Sequence, residues 1–174
     1  MAAADSDLVL SLGDDSYPEQ MDCLTKLTDL FEAYHRLAVV IFPQRTDEYP
    51  ETLTQSEFRT ERVSGSFANS GAVLRRSIYL ELSGFESRFF HMHEELDYAL
   101  QCAAAGYRVL FTRVITIRHH YSGQVRSEMR NHHRHARDEL WSTLLRCPFP
   151  FAIGMAVWRV FPSFGMHASA GGHG

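Results

Sequence analysis

An α/β fold is what the sequence predicts, and three observations predict it. Two short, mainly apolar stretches, Asp7 to Leu12 and the continuous run Leu37 to Phe42, have the length of buried strands, and the second is β-branched as well. Leu24, Leu27, Phe31 and Tyr34 recur at helical spacing, and so do Leu96, Ala99, Leu100 and Ala103. Gly13, Gly84 and Gly106 stand where one pattern ends and the next begins. At 174 residues, 45% apolar and 12% aromatic, the chain has the length of one domain and enough apolar material for a packed core.

In chain order, Asp7 to Leu12 reads as a strand ended by Gly13-Asp14-Asp15. Ser16 and Glu19 have capping-box spacing and Pro18 suits a first turn, which predicts a helix from about Glu19 to His35. Leu37 to Phe42 is the next strand. From Pro43 to Ser66 the pattern dissolves into Thr, Glu, Arg and Pro, as in binding loops and lids. Ala72 to Arg75 resumes as a strand, followed by a short helix through Leu82 that Gly84 stops. The clearest helix runs from Glu94 to Ala105, with Gly106 placed for a left-handed cap. Arg108 to Phe111 and Val114 to Arg118 read as strands. A long helix over Arg126 to Arg146 is expected to bury Leu140, Trp141, Leu144 and Leu145. The apolar tract Pro148 to His167 is broken by Arg159, Pro150 and Pro162, which predicts an interfacial or buried helix rather than a membrane span.

The net charge of -4 gives no global reason to expect nucleic acid or an anionic membrane as a partner. Yet Arg113 to Arg137 holds six arginines against one acid, Glu128. Three scattered cysteines, Cys23, Cys102 and Cys147, form no CxxC pair, so neither a disulfide scaffold nor a thiolate zinc site is indicated. A reduced, cytoplasmic setting is the expectation, with peripheral contact at the inner face of a membrane through the C-terminal helix.

Four groups of residues could carry chemistry. Asp14 and Asp15 follow a buried strand, where open α/β sheets place ligand crevices, and hard oxygens there suit Mg²⁺ or Mn²⁺. The plainer alternative is a polar turn. Glu94 and Glu95 open a helix, either as a working carboxylate pair or as a complement to the positive helix end. His119-His120 closes a strand, either as a simple polar strand end or as the source of a metal ligand, and strand alternation, which puts the two rings on opposite faces, favours His119 over His120 for that role. Arg126, Arg130 and Arg134 recur every fourth residue, so they share a face that could hold a diphosphate or anionic headgroups, or be merely solvated.

The order of these pieces is more specific than any one of them. Asn69-Ser-Gly-Ala-Val-Leu-Arg-Arg76, Gly84-Phe-Glu86, Glu94-Glu95 before Leu-Asp-Tyr-Ala-Leu100, Ala105-Gly-Tyr-Arg-Val109 and His119-His120 follow in sequence. This resembles the acceptor-side half of a family 2 glycosyltransferase with the GT-A fold, over roughly Asp7 to Pro148. The resemblance implies a mixed sheet flanked by helices over residues 1–124, a helical extension over 125–167 and a flexible tail over 168–174. It implies a nucleotide-sugar donor, a saccharide or lipid-linked acceptor and inverting transfer, in glycan or cell-surface polysaccharide synthesis. Carried over, Asp15 matches the metal-binding acid of an Asp-x-Asp type motif and Asp14 its middle position, while Gly13 departs from the first. Glu95 matches the base, with Glu94 beside it. His119 matches a further metal ligand, Arg126 and Arg130 would reach the diphosphate, and Gly71, Phe85 and Asp97 would line the acceptor pocket. The family's opening βα units have no counterpart, so a fragment of a longer enzyme is expected. The alternatives are a non-catalytic interaction or regulatory module, and a metallohydrolase built on Asp14, Asp15, Glu94 and His119.

Overall fold

The computed structural model describes residues 4–47, 62–89, 93–120 and 128–165. In chain order its elements are β1 (Leu8–Ser11), β2 (Ser16–Pro18), α1 (Cys23–Ala33), β3 (Leu37–Ile41), β4 (Gln44–Thr46), β5 (Arg62–Val63), β6 (Ala72–Arg75), α2 (Arg76–Glu81), α3 (Glu94–Ala104), β7 (Arg108–Phe111), β8 (Ile117–His119), α4 (Glu128–Arg146) and α5 (Phe151–Gly165). The main sheet has the order β1-β6-β3-β7-β5 and a smaller one the order β2-β8-β4. Both are mixed: β3 and β7 run parallel, as do β4 and β8, and the remaining pairs are antiparallel.

β3 lies at the centre because all five of its side chains are apolar and buried, so it needs cover on both faces. Val39 and Ile41 meet Leu74, Ile78, Tyr98 and Cys102 on the side of α2 and α3. Val40 and Phe42 meet Leu27, Phe31 and Ile117 on the side of α1. Arg75 locks α1 to the sheet: its guanidinium donates to the carbonyls of Phe31 at 2.7 Å and Tyr34 at 3.2 Å, and its Nε to that of Leu37 at 3.0 Å. It thus satisfies helix-end acceptors that have no partner within the helix.

Several expectations hold and several do not. α2 and α3 fall where predicted, and Gly106 takes the left-handed cap with φ 76°. The helix predicted from Glu19 begins instead at Cys23, and Ser16 to Pro18 pairs with β8 as a strand. The Ser16 hydroxyl accepts from the Gly13 amide at 2.8 Å rather than capping a helix. Strands also form at Gln44–Thr46 and Arg62–Val63, inside the stretch read as one loop.

The buried faces of two helices also differ from the expected stripes. α3 buries Asp97, Tyr98, Ala99 and Cys102, while Leu100 is exposed. α4 was expected to bury Trp141 and Leu144, yet both are exposed, and Asp138, Ser142 and Thr143 are buried in their place. The reason is Asp97, whose carboxylate is fully buried. Ser142 donates to it at 3.0 Å, Gln101 at 3.0 Å, and Arg146 binds both oxygens at 2.8 and 2.6 Å. A buried carboxylate needs such partners, so it decides which face of α4 turns inward.

Candidate functional site

The site is assembled from the smaller sheet and the loop before β6. β1 leads into Gly13-Asp14-Asp15, and β2 then pairs with β8 so that Ser16 lies opposite His119. That register carries the acidic turn to the histidine doublet. The His120 amide donates to the Asp15 carbonyl at 2.7 Å, and His119 Nε2 stands 3.2 Å from Asp15 Oδ1. Asp14 is exposed at the tip of the turn. A Cβ on Gly13 would lie 2.6 Å from Asp15 Oδ1, so an acid at that position would require the Asp15 carboxylate to swing aside.

The tautomer of His119 is assigned through its neighbour. Gln44 donates its amide nitrogen to the Ser70 carbonyl at 2.7 Å, which fixes which end of the amide is oxygen. That oxygen, Oε1, faces His119 Nδ1 at 3.3 Å, so Nδ1 carries the hydrogen. In the neutral ring, Nε2 then presents a lone pair to a carboxylate oxygen. Two acceptors at 3.2 Å call for a proton or a cation between them. An imidazole oriented by a second hydrogen bond and paired with a hard oxygen is a donor set that fits Mn²⁺, whereas Mg²⁺ takes oxygen ligands almost exclusively. Among the described residues, no group of three or more His, Cys, Asp or Glu side chains is placed to hold a metal ion. Protein ligands from this pair would leave coordination positions for phosphate oxygens and water.

Asn69-Ser70-Gly71 links this pair to the acidic helix. Ser70 Oγ and Ser16 Oγ are 3.1 Å apart, and the Gly71 amide donates to the Ser11 carbonyl at 2.7 Å. On the loop's other side, the Asn69 amide donates to Glu95 Oε1 at 3.4 Å. Asp15, His119 and Glu95 are thus all tied to one short loop. Among the described residues, Asn69 Oδ1 is buried there without a hydrogen-bond partner, as is one oxygen of Glu94.

His120 faces elsewhere. Its Nδ1 lies 2.7 Å from Asp47, which Arg118 also binds at 3.0 Å. The hydrogen bond from His120, aided by Arg118, holds the Asp47 carboxyl below its ordinary value.

The remaining sequence candidates are placed as follows. Phe85 packs edge-on against Tyr79 and Tyr98, and lines a cleft of about 430 Å³ with Glu86, Gln101 and Arg146. Asp97 was expected in the acceptor pocket, but its full burial and its tie to Arg146 leave it no solvent-facing edge. Gly71, expected in the same pocket, is buried at φ 81° against Ile117. Arg126 lies outside the described residues, and Arg130 is placed only as a position on α4. Gln44, Asn69, Ser70 and Arg146 were not anticipated. No spacing marks the first three, because strand pairing brings them in.

No protein-family model matches the sequence, and no curated protein matches it. Solved structures do match, three of them at 11–14% identity. A mannosyltransferase from Pyrobaculum calidifontis, in complex with GDP-Man and Mn²⁺, superposes with TM-score 0.59 at 14% identity over 99% of this chain. GalNAc-T7 with UDP, GalNAc and Mn²⁺ gives 0.58 at 11% over 79%. S. aureus TarS 1-349 gives 0.55 at 13% over 82%. The fold is of the GT-A type. The chain spans 53%, 31% and 42% of those three structures, respectively.

Proposed function

We propose that this chain is the acceptor-side half of a family 2 nucleotide-sugar glycosyltransferase that works with inversion. The observation that carries the reading is the Asp15–His119 pair beside the loop that also holds Glu95, at one end of a GT-A-type sheet. Asp15 and His119 would hold a divalent cation, Mn²⁺ in preference to Mg²⁺, which when bound supplies positive charge to a diphosphate leaving group. Glu95 would accept the proton of an acceptor hydroxyl as its oxygen attacks the anomeric carbon from the face opposite the diphosphate. Glu94 adds negative charge next to that base. Asp14, Arg126 and Arg130 are assigned to the donor side, and Phe85 to the acceptor wall. The acceptor is a saccharide or lipid-linked glycan, and the setting is cytoplasmic, in glycan or cell-surface polysaccharide synthesis.

Gly13, standing where the resembled motif has its first acid, favours a second reading, a non-catalytic interaction module. Calorimetric titration of the purified chain with UDP, GDP and dTDP, with and without Mn²⁺, separates the two. Transfer predicts metal-dependent nucleotide binding weakened at least about tenfold in Asp15→Ala and retained in Glu95→Gln. No binding by a chain that melts cooperatively would leave the second reading standing.

A further inference from the structure

The C-terminal helix presents an uncovered apolar surface. Phe149 is 81% exposed, Phe151 71%, Trp158 71% and Ile153 52%, with Val157 and Met155 also exposed. Of the α5 side chains described, only Ala152 is buried. A helix that is apolar nearly all round belongs against protein or lipid, and an exposed apolar area this wide marks an interaction surface. Among the described residues no helix is long and apolar enough to cross a membrane. The 15 residues of α5 would reach only about 22 Å, against about 30 Å for a bilayer core.

The charge distribution selects the occupant. Over the whole chain there are 17 Lys and Arg against 21 Asp and Glu. Residues 126–174 hold six arginines and three acids, leaving 11 basic and 18 acidic residues for the rest, with Arg137 paired to Asp138 and Arg146 to Asp97. After Glu139 there is no acid at all. A second copy docked on this face would bring two basic segments together. An anionic lipid surface complements both features: aromatic side chains settle at the headgroup level, and arginines lie beside the phosphates.

We propose that α5 and the turn before it form a docking surface for anionic lipid, lying in the headgroup region with Phe149, Phe151 and Trp158 inserted. The surface stands on exposure and charge, independently of the transferase reading, although it would bring a lipid-linked acceptor to the same plane as the site.

The test uses the full chain as Trp141→Phe, so that emission reports Trp158 alone, with vesicles of phosphatidylcholine and of phosphatidylcholine with about a third phosphatidylglycerol. The expected result is a blue shift and quenching by brominated acyl chains on the anionic vesicles, falling as salt is raised. Phe149→Ser and Phe151→Ser should each weaken partitioning at least about tenfold, with the melting temperature unchanged. Failure to partition onto either vesicle overturns the proposal, and so does partitioning that the serine variants leave unaltered. A concentration-dependent dimer lost in Phe151→Ser, without vesicle binding, would assign the face to a second copy and overturn it too. No donor or metal enters the assay, so its failure is distinct from failure of the nucleotide titration.

Discussion

Asp97 and Gln44 show how much a single side chain can decide here. Asp97 is held by Ser142, Gln101 and both arms of Arg146, with no exposure of its own. The Asp97 carboxylate is buried while Arg146 reaches solvent, so removing Arg146 strands a buried charge, at a cost of up to about 3–5 kcal/mol, and removing Asp97 leaves a guanidinium that water can solvate. Urea unfolding of Arg146→Ala should show the larger loss, Asp97→Ala a smaller one, and Asp97→Leu with Arg146→Met less than Arg146→Ala alone. Additive losses in the double variant would mean that the carboxylate and guanidinium do not depend on each other. Gln44 acts on chemistry rather than stability, because it fixes the hydrogen on His119 Nδ1. Gln44→Leu frees the ring to rotate and to take the other tautomer. Mn²⁺ affinity, read by calorimetry, should drop about 10- to 100-fold while metal-free melting changes little. Unchanged affinity would remove His119 from the metal site.

The segments between elements carry their own pH dependence. Between α2 and α3, Glu86 accepts from Arg88 Nε at 2.9 Å and from its Nη2 at 2.7 Å, and these bonds hold its carboxyl at about 2 instead of 4.5. A depressed folded value favours the folded state above the unfolded value, and that stability is lost as pH falls through the folded one. Its contribution is therefore full above about pH 4.5 and fades toward pH 2, reduced by the half-exposed Arg88 side chain. Wild type and Glu86→Gln should differ in melting temperature at pH 6 and converge as pH approaches 2.5. A gap independent of pH would show that the ion pair is not its source. In the loop before β6, Gly71 combines φ 81° with Ile117 Cγ1 only 2.7 Å from where a Cβ would sit. Gly71→Ala should cost about 1–3 kcal/mol in urea unfolding and loosen the loop whose Asn69 amide holds Glu95. Elements were legible in the sequence wherever one periodicity ran long enough, as in α3 and the strand of β6. The faces of α3 and α4 were not, because an apolar count gives no sign that a buried carboxylate on one helix will claim a serine and an arginine on the other.

Taken whole, the fold class and the pairing of Asp15 with His119 could be anticipated from the order of motifs along the chain, while Gln44 and Asn69 entered only through strand pairing. The position of each strand within the sheet was equally hidden. Asp7 to Leu12 and Leu37 to Phe42 look alike as apolar runs, yet β1 has a neighbour on one side only among the described residues, and β3 sits between β6 and β7. The difference appears in burial: all of β3 is buried and all of β1 is half-buried. Opening free energy follows such placement, from near zero at frayed edges to the global value in the core. Hydrogen exchange read by mass spectrometry should therefore protect the peptide spanning 37–42 up to global unfolding, with added denaturant accelerating it in step with the melting of the whole chain. The peptide spanning 7–12 should exchange in part through local fraying that denaturant barely affects, since some of its amides face away from β6. Equal, fully global protection in both peptides would show that β1 is paired on both sides in solution, by a strand from another copy or another protein.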